Sequence, residues 1–198
     1  MTTFSNLKSL LLTGLIMCSL SIFMTSCKDA TKAKDPEEVA EDMNKPKDDA
    51  TKERDERFMV DAAEISMEDV RLGQLAQQKG THADVKALGK MMEDAHMQGL
   101  ADVTGLAGKK SIAIPTAPTD NTQNAYDRLN EKAAGMDFDK AYCNMMVEGH
   151  KTAINKFEAA AKECTDPDIV AWANGALPGL RTHLSHAEAC EAKLKDMK

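Results

Sequence analysis

Histidines and carboxylates are the residues of this 198-residue chain whose types and spacing could do chemistry. His96, His150 and His183 lie in three separate segments, each within a stripe of apolar residues at helical spacing. Asp69 in a fourth segment, and Glu93 three residues before His96, could supply carboxylates at nearby levels. Imidazole and carboxylate groups that project into the interior of a helical bundle are ligands for iron, manganese or zinc. The pattern therefore predicts a candidate metal site made from these five residues.

The distance of each histidine from the nearest expected hairpin turn predicts that the three rings lie at similar depth. With one turn centred just after Gly80 and the other just after Thr165, His96 and His150 are equally far from their turns, and His183 is two positions further. At ~1.5 Å per residue, His150 and His183 differ in height by only about 3 Å. All three positions are near the middle of their segments.

The spacing of glutamates and histidines disfavours a di-iron oxidase site. Such a site needs two Glu-x-x-His steps plus one Glu from each remaining helix. Glu93 to His96 is one such step, but Val147 and Leu180 stand where the steps before His150 and His183 would need Glu. Two interpretations stay open: core histidines held by carboxylates and backbone groups, or a mononuclear metal site.

The segments that must position these residues are helical by period. Apolar residues recur at helical spacing over four long segments, which are separated at Gly80, by a loop over 108–119, at Gly135 and by a turn at 165–167. A shorter helix, 120–134, follows the loop. Only 4% of the residues are aromatic and there are just 11 Gly and 6 Pro, which argues against an all-β fold. We predict an all-α, ferritin-like four-helix bundle whose long crossover connection contains a short extra helix.

The segment over 1–26 is typical of an export signal. Lys8 precedes a mostly apolar run over 10–24, which is shorter than the ~20 residues that a spanning helix needs. The run ends in Met24-Thr25-Ser26-Cys27, which resembles a bacterial lipobox, so we predict cleavage before Cys27 and lipidation (palmitate among the acyl chains) of that residue. Two or more acyl chains hold a protein at a membrane. The expected location is the bacterial envelope, on the periplasmic or surface face of the outer membrane.

A charged stretch follows the lipidated cysteine. Residues 27–57 contain few apolar side chains, so we predict that they are a flexible tether and that the helical domain occupies 58–198. The net charge of -7 argues against a nucleic-acid partner.

Three thiols remain after Cys27. Export implies an oxidising compartment. Cys143 before the second turn and Cys190 after it differ by only two positions in their distance from that turn, so the two are nearly level and could form a disulfide. Helix axes lie about 8–10 Å apart, so two small buried thiols are the alternative. Cys164 has no predicted partner.

A set of motifs spans about Phe58 to Ala187 and lies in all four long segments. The motifs are Asp69-Val70-Arg71-Leu72-Gly73-Gln74-Leu75-Ala76, His96, Leu106-Ala107, Tyr142, Met146-Val147-Glu148-Gly149-His150, Phe157-Glu158, Trp172-Ala173, Leu177-Pro178, Leu180 and His183-Leu184. Together they resemble those of the ferritin-like family called domain of unknown function 4142, often labelled predicted outer membrane protein. The family usually has Asp immediately before the histidines of the second and third helices, where this chain has Ala95 and Gly149. The resemblance implies the fold and an envelope location, and no established activity.

Two functions follow from these observations. The first is a non-enzymatic envelope lipoprotein that binds an unidentified envelope protein or contributes to stress tolerance, since the chain has neither a nucleophilic triad nor a phosphate-binding loop. The alternative is a metal-binding protein that uses the core histidines and carboxylates for metal storage, sensing or redox chemistry.

Overall fold

Regular structure in the part of the chain that can be described is entirely α-helical. A computed structural model describes residues 33–45 and 50–197, so the predicted signal peptide and Cys27 lie outside the described residues. The prediction of an all-α fold is confirmed. Within these ranges, no helix combines the length and the apolar composition that a membrane-crossing segment needs. The helices are α1 (Pro36–Asn44), α2 (Ala50–Lys79), α3 (Ala83–Lys110), α4 (Asp120–Asn130), α5 (Met136–Glu163) and α6 (Pro167–Leu194).

The four long helices pack as two hairpins, α2 with α3 and α5 with α6, and each hairpin also contacts the other. Short polar connections make the turns: His82 caps α3 by accepting a hydrogen bond from the backbone N–H of Asp84, and Asp166 caps α6 in the same way. Pro167 occupies the first turn of α6, where its missing N–H costs nothing. Helix α4 lies in the connection between the hairpins and packs on α2 and α5.

A buried aspartate locks the turn of the first hairpin to the second. The carboxylate of Asp139, on α5, is fully buried and accepts hydrogen bonds from the backbone N–H groups of Thr81 (2.9 Å) and His82 (2.7 Å). It also accepts one from the hydroxyl of Thr81 (2.6 Å). A buried carboxylate needs such partners because desolvation of an unpaired charge is costly.

The same contact is made in the opposite direction by an aspartate of the first hairpin. Asp55, on α2, accepts hydrogen bonds from the N–H groups of Thr165 (2.8 Å) and Asp166 (3.0 Å) and from the hydroxyl of Thr165 (3.0 Å). Asp55 and Asp139 are separated by the same number of residues as the first residues of α3 and α6, and as the last residues of α3 and α6. We call this separation along the sequence the repeat offset. The two hairpins are therefore structural repeats that cap each other.

The ordered domain begins well before Phe58. Helix α1 packs on α2, and the side chain of Asn44 donates to the carbonyl of Ala113 (2.9 Å) and accepts from its N–H (2.8 Å). The described residues from Lys34 onward form one compact unit. The prediction of a flexible tether over 27–57 is thus wrong for 36–44 and for 50–57, because buried polar side chains there are satisfied by capping and loop contacts rather than by burial of apolar surface.

Glycines bring the backbones of α2 and α3 into direct contact about two helical turns before His96. A Cβ atom built on Gly89 would lie 2.7 Å from the carbonyl oxygen of Gly73, and one on Gly73 would lie 2.6 Å from that of Gly89. Neither position can therefore accept a side chain without separating the two helices.

Substitution of Gly89 by alanine should destabilise the domain. The added methyl group would force α2 and α3 apart, and overpacking of this kind costs about 1–3 kcal/mol of unfolding free energy. Gly105→Ala on the same helix is the matched control, since a Cβ there meets nothing within 4 Å, and it should stabilise the helix by about 0.5–1 kcal/mol. Urea unfolding measures both, and equal effects of the same sign would contradict the close contact.

Candidate metal centre

Three imidazole rings from α3, α5 and α6 meet in the interior of the domain. The ring centroids of His96, His150 and His183 are separated by 5.4, 5.4 and 5.5 Å. One ring nitrogen of each histidine lies within 4.8 Å of the others. His96 and His150 are buried and His183 is half-buried. The structure thus brings together, in one layer, the three histidines that the spacing predicts to lie at similar depth.

Asp69 adds a carboxylate from the fourth long helix. Its Oδ2 atom lies 3.3 Å from Nε2 of His96, and the same nitrogen lies 3.4 Å from Nε2 of His150. Asp69 is only 6% exposed. Each long helix therefore contributes one polar side chain to this group, which we call the histidine–aspartate cluster (Asp69, His96, His150 and His183).

The tautomer of His150 is set by its own helix. Its Nδ1 atom lies 3.0 Å from the carbonyl oxygen of Met146, which can only accept, so Nδ1 carries the proton and donates. In the neutral ring, Nε2 then keeps a lone pair that faces His96. Metal-ligating histidines commonly have their second nitrogen fixed by such a contact.

His183 has a buried nitrogen without a partner. Among the residues that the structure describes, no hydrogen-bond partner reaches its Nδ1 atom. Most buried polar atoms in folded proteins are hydrogen-bonded, so this nitrogen is free to accept a bond from water in the adjoining cleft or to bind a ligand.

The rings favour the unprotonated form. Burial lowers the pKa of His96, although Asp69 acts in the opposite direction. Burial, and then the nearby His96 and His150 rings, lower the pKa of His183 to about 4. Both rings are therefore neutral at neutral pH, which is the form that binds metal.

The comparisons with known proteins support the family resemblance. The family model described as Domain of unknown function (DUF4142) matches residues 40–190, which include the whole histidine–aspartate cluster. This chain belongs to that family. No curated protein and no solved structure matches it. The match of the DUF4142 model starts within α1, in agreement with the ordered start of the domain rather than with a boundary at 58.

Glu93 is the predicted ligand that the structure of this DUF4142 domain does not bring to the cluster. Its carboxylate accepts hydrogen bonds from the side chains of Gln74 (2.8 Å) and Gln77 (2.6 Å) on α2, and these bonds lower its pKa. The backbone N atom of Glu93 would lie 3.0 Å from a Cβ atom on Gly73, so this turn of α3 presses directly on α2. The assignment of Glu93 as a ligand is therefore corrected, because its side chain is held along the α2–α3 contact.

Tyr142 is a neighbour of the cluster that the ligand search in the sequence passed over. It lies two helical turns before His150 on α5, is fully buried, and has a hydroxyl with no partner among the described residues. Burial and the charge of Asp69 both raise the pKa of Tyr142. The signal available in the sequence was only its place in the apolar stripe of α5, which is equally typical of a core aromatic residue.

The lowered pKa of His183 predicts a pH dependence of stability. Its pKa falls from 6.5 in the unfolded chain to about 4 in the folded domain, so the unfolded chain binds more protons between those values. Stability from this ring is complete above pH ~6.5 and is lost as the pH falls toward 4. In chelator-treated protein, lowering the pH from 7 to 4 should therefore reduce the unfolding free energy of the parent chain more than that of His183→Gln.

The comparison with His183→Gln is needed because another group acts in the opposite direction. Burial, Asp69 and Glu64 raise the pKa of Glu68 to about 7, so its protonation favours the folded state over part of the same range. Glu68 is common to both chains and cancels in the difference between them. Parallel pH profiles for the two chains would contradict a lowered pKa at His183.

Proposed function

We propose that this DUF4142 domain binds one divalent transition-metal ion through the histidine–aspartate cluster. The observation that carries the proposal is the spacing of the donor atoms. Ligand atoms ~2.0–2.1 Å from a tetrahedral ion lie about 3.3 Å from each other. His96 with His150 and His96 with Asp69 are separated by 3.4 and 3.3 Å, and one nitrogen of each of the three histidines lies within 4.8 Å of the others.

A purely hydrogen-bonded core explains the cluster less well. The Nε2 atom of His96 carries at most one proton in the neutral ring, yet it faces two acceptors, His150 and Asp69. The Nδ1 atom of His183 gains nothing from that proton. A cation shared by the four side chains would satisfy all of them at once, because each offers a lone pair and none needs to donate.

We propose one ion rather than two because the positions related to the cluster by the repeat lack metal ligands. The repeat offset relates each cluster residue to a position in the other hairpin. Those positions hold one hydroxyl, two apolar side chains and a glycine, and the hydroxyl of Ser66 already donates to the carbonyl of Ala62. The residues at these positions are Ser66, Gly99, Ala153 and Leu180.

We further propose that the bound ion has a binding or storage role and no catalytic one. If the Asp69 carboxylate, which lies 3.3 Å from His96, completes the three-histidine group as a fourth ligand, the coordination is the closed one of structural sites, whereas catalytic sites keep a position open for water or substrate. When bound, the ion would link the four long helices and neutralise Asp69. Zn²⁺ fits the donor set best, and Fe²⁺ and Mn²⁺ share its preference for imidazole and carboxylate.

We also propose that the four long helices form a ferritin-like bundle whose crossover carries α4, and that the chain is a lipoprotein of the bacterial outer membrane. The order of two hairpins joined by one long connection supports the bundle. The Met24-Thr25-Ser26-Cys27 sequence supports the lipid anchor. Partner binding or stress tolerance would then be exerted from the membrane surface.

Removal of the histidines should abolish metal binding. Protein purified without chelator should contain close to one equivalent of metal, and the triple variant His96→Ala/His150→Ala/His183→Ala should contain none. Adding Zn²⁺ to chelator-treated parent protein at 100 times its Kd should stabilise it by about 2.7 kcal/mol. Elemental analysis and thermal unfolding are the measurements.

His186→Ala is the matched control for the triple variant, since His186 is exposed and lies one turn beyond His183 on α6. It should bind metal as the parent protein does. The proposal would be refuted if the parent protein contained no metal and its melting temperature did not change on addition of Zn²⁺, Fe²⁺ or Mn²⁺.

Replacement of Cys27 should release the protein from membranes. In a bacterial host that processes lipoproteins, the parent chain should incorporate labelled palmitate and sediment with the membrane fraction. Cys27→Ala should do neither, while Cys164→Ala should behave as the parent chain does. Acylation that persists in Cys27→Ala would contradict the assignment of the lipobox.

A further inference from the structure

A second pair of reactive side chains lies two helical turns from the cluster on each of α5 and α6. The Sγ atoms of Cys143 and Cys190 are 2.6 Å apart, and both residues are buried. At the positions that the repeat offset assigns to them, the other hairpin has Met59 and Leu106, which pack in its hydrophobic core. The thiol pair is therefore specific to the α5–α6 hairpin and is not required by the fold that the two hairpins share.

Only one of the two thiols adjoins a route from solvent. Cys143 is 0% exposed, whereas Cys190 is 5% exposed and lines a cleft of about 500 Å³ between α3 and α6. Met91, His186 and Lys193 line the same cleft. A small molecule that enters the cleft would meet the sulfur of Cys190 and would find that of Cys143 behind it.

The charge distribution also distinguishes the two sulfurs. The hydrogen bond donated by Cys143 lowers the pKa of Cys190, with a further contribution from Lys193 that opposes burial and the carboxylates of Asp84 and Asp139. That same bond, together with burial, raises the pKa of Cys143. The thiolate, which is the nucleophile in disulfide exchange, therefore forms at Cys190.

We propose that Cys143 and Cys190 are an oxidisable dithiol in which Cys190 reacts first, with a small disulfide that enters the cleft between α3 and α6, and Cys143 resolves the product. The inference does not depend on metal binding. It extends the sequence-based prediction of a bridge by assigning an order of attack, a route of entry and the class of oxidant.

The exchange is balanced in thiols and disulfides. The Cys190 thiolate attacks one sulfur of the small disulfide, whose S–S bond breaks, and the released thiolate takes up the proton that Cys190 lost. Cys143 then loses its proton, attacks Sγ of Cys190 and displaces the second half of the oxidant, which leaves as a thiol with that proton. Two protein thiols are oxidised to one disulfide, and one small disulfide is reduced to two thiols.

The test uses the full-length protein, reduced and folded, exposed to glutathione disulfide and quenched with an alkylating reagent at intervals. Peptide mapping of the parent chain should show a crosslinked Cys143–Cys190 peptide. In Cys143→Ser, glutathione should accumulate on Cys190. In Cys190→Ser, glutathione should accumulate on Cys143 instead. This modification should be at least about tenfold slower than that of Cys190 in Cys143→Ser.

Cys164 is an internal control in every sample. It is half-buried, and burial and a hydrogen bond with Asp55 raise its pKa to about 12, so it should react more slowly than Cys190. In urea, Cys143, Cys164 and Cys190 of the parent chain should react at similar rates, which would show that the differences belong to the folded state. Circular dichroism checks that each variant folds, and Cys143→Ala and Cys190→Ala replace any serine variant that does not.

Three results would overturn the proposal. They are equal rates at Cys143 and Cys190 in the two folded single variants, a stable glutathione adduct on Cys190 of the parent chain without a crosslink, and no reaction of either thiol. The first two concern the order and the resolution of the exchange. The third would make the pair inert buried thiols.

Discussion

The rest of the site depends on the desolvation of four polar side chains in one interior layer. Asp69, His96 and His150 are almost fully removed from water, and His183 is half removed. Each would be well solvated in the unfolded chain, so the folded state must supply partners of equal quality. One helix carbonyl and contacts within the cluster supply some of these partners. What is left over is a set of lone pairs facing one another, an arrangement that could hold a cation.

Repetition explains how the fold can carry such a layer. The carboxylates of Asp55 and Asp139 each accept three hydrogen bonds from the turn of the opposite hairpin. The two hairpins are therefore held at a fixed relative height from both ends. The interior layer at mid-height is then defined by helix geometry alone. Each hairpin contributes two residues to the histidine–aspartate cluster. Three of the positions related to them by the repeat offset, Ser66, Gly99 and Leu180, line a cleft of about 380 Å³ that His96 and His183 also line.

The sequence could predict the parts of this arrangement that depend on helical period. The long helices, the turns between them and the common depth of His96, His150 and His183 all follow from counting residues along amphipathic segments. The prediction placed Glu93 in the site because counting residues gives only the height of a side chain along the helix. It does not give the direction of the side chain, which here is set by the close contact of α3 with α2 at their glycines. The helices over 36–44 and 50–57 were missed because composition predicts order through apolar burial, whereas Asn44 and Asp55 order these segments by hydrogen bonding to distant backbone.

The contact between Asn44 and Ala113 has a consequence for how the crossover meets other proteins. The side-chain amide of Asn44 occupies both the N–H and the carbonyl of Ala113, much as a neighbouring strand would. A protease typically holds its substrate in an extended form through backbone groups of this kind. Cleavage near Ala113 would therefore have to wait until α1 lifts away, so that the rate of proteolysis there reports how often this first helix detaches.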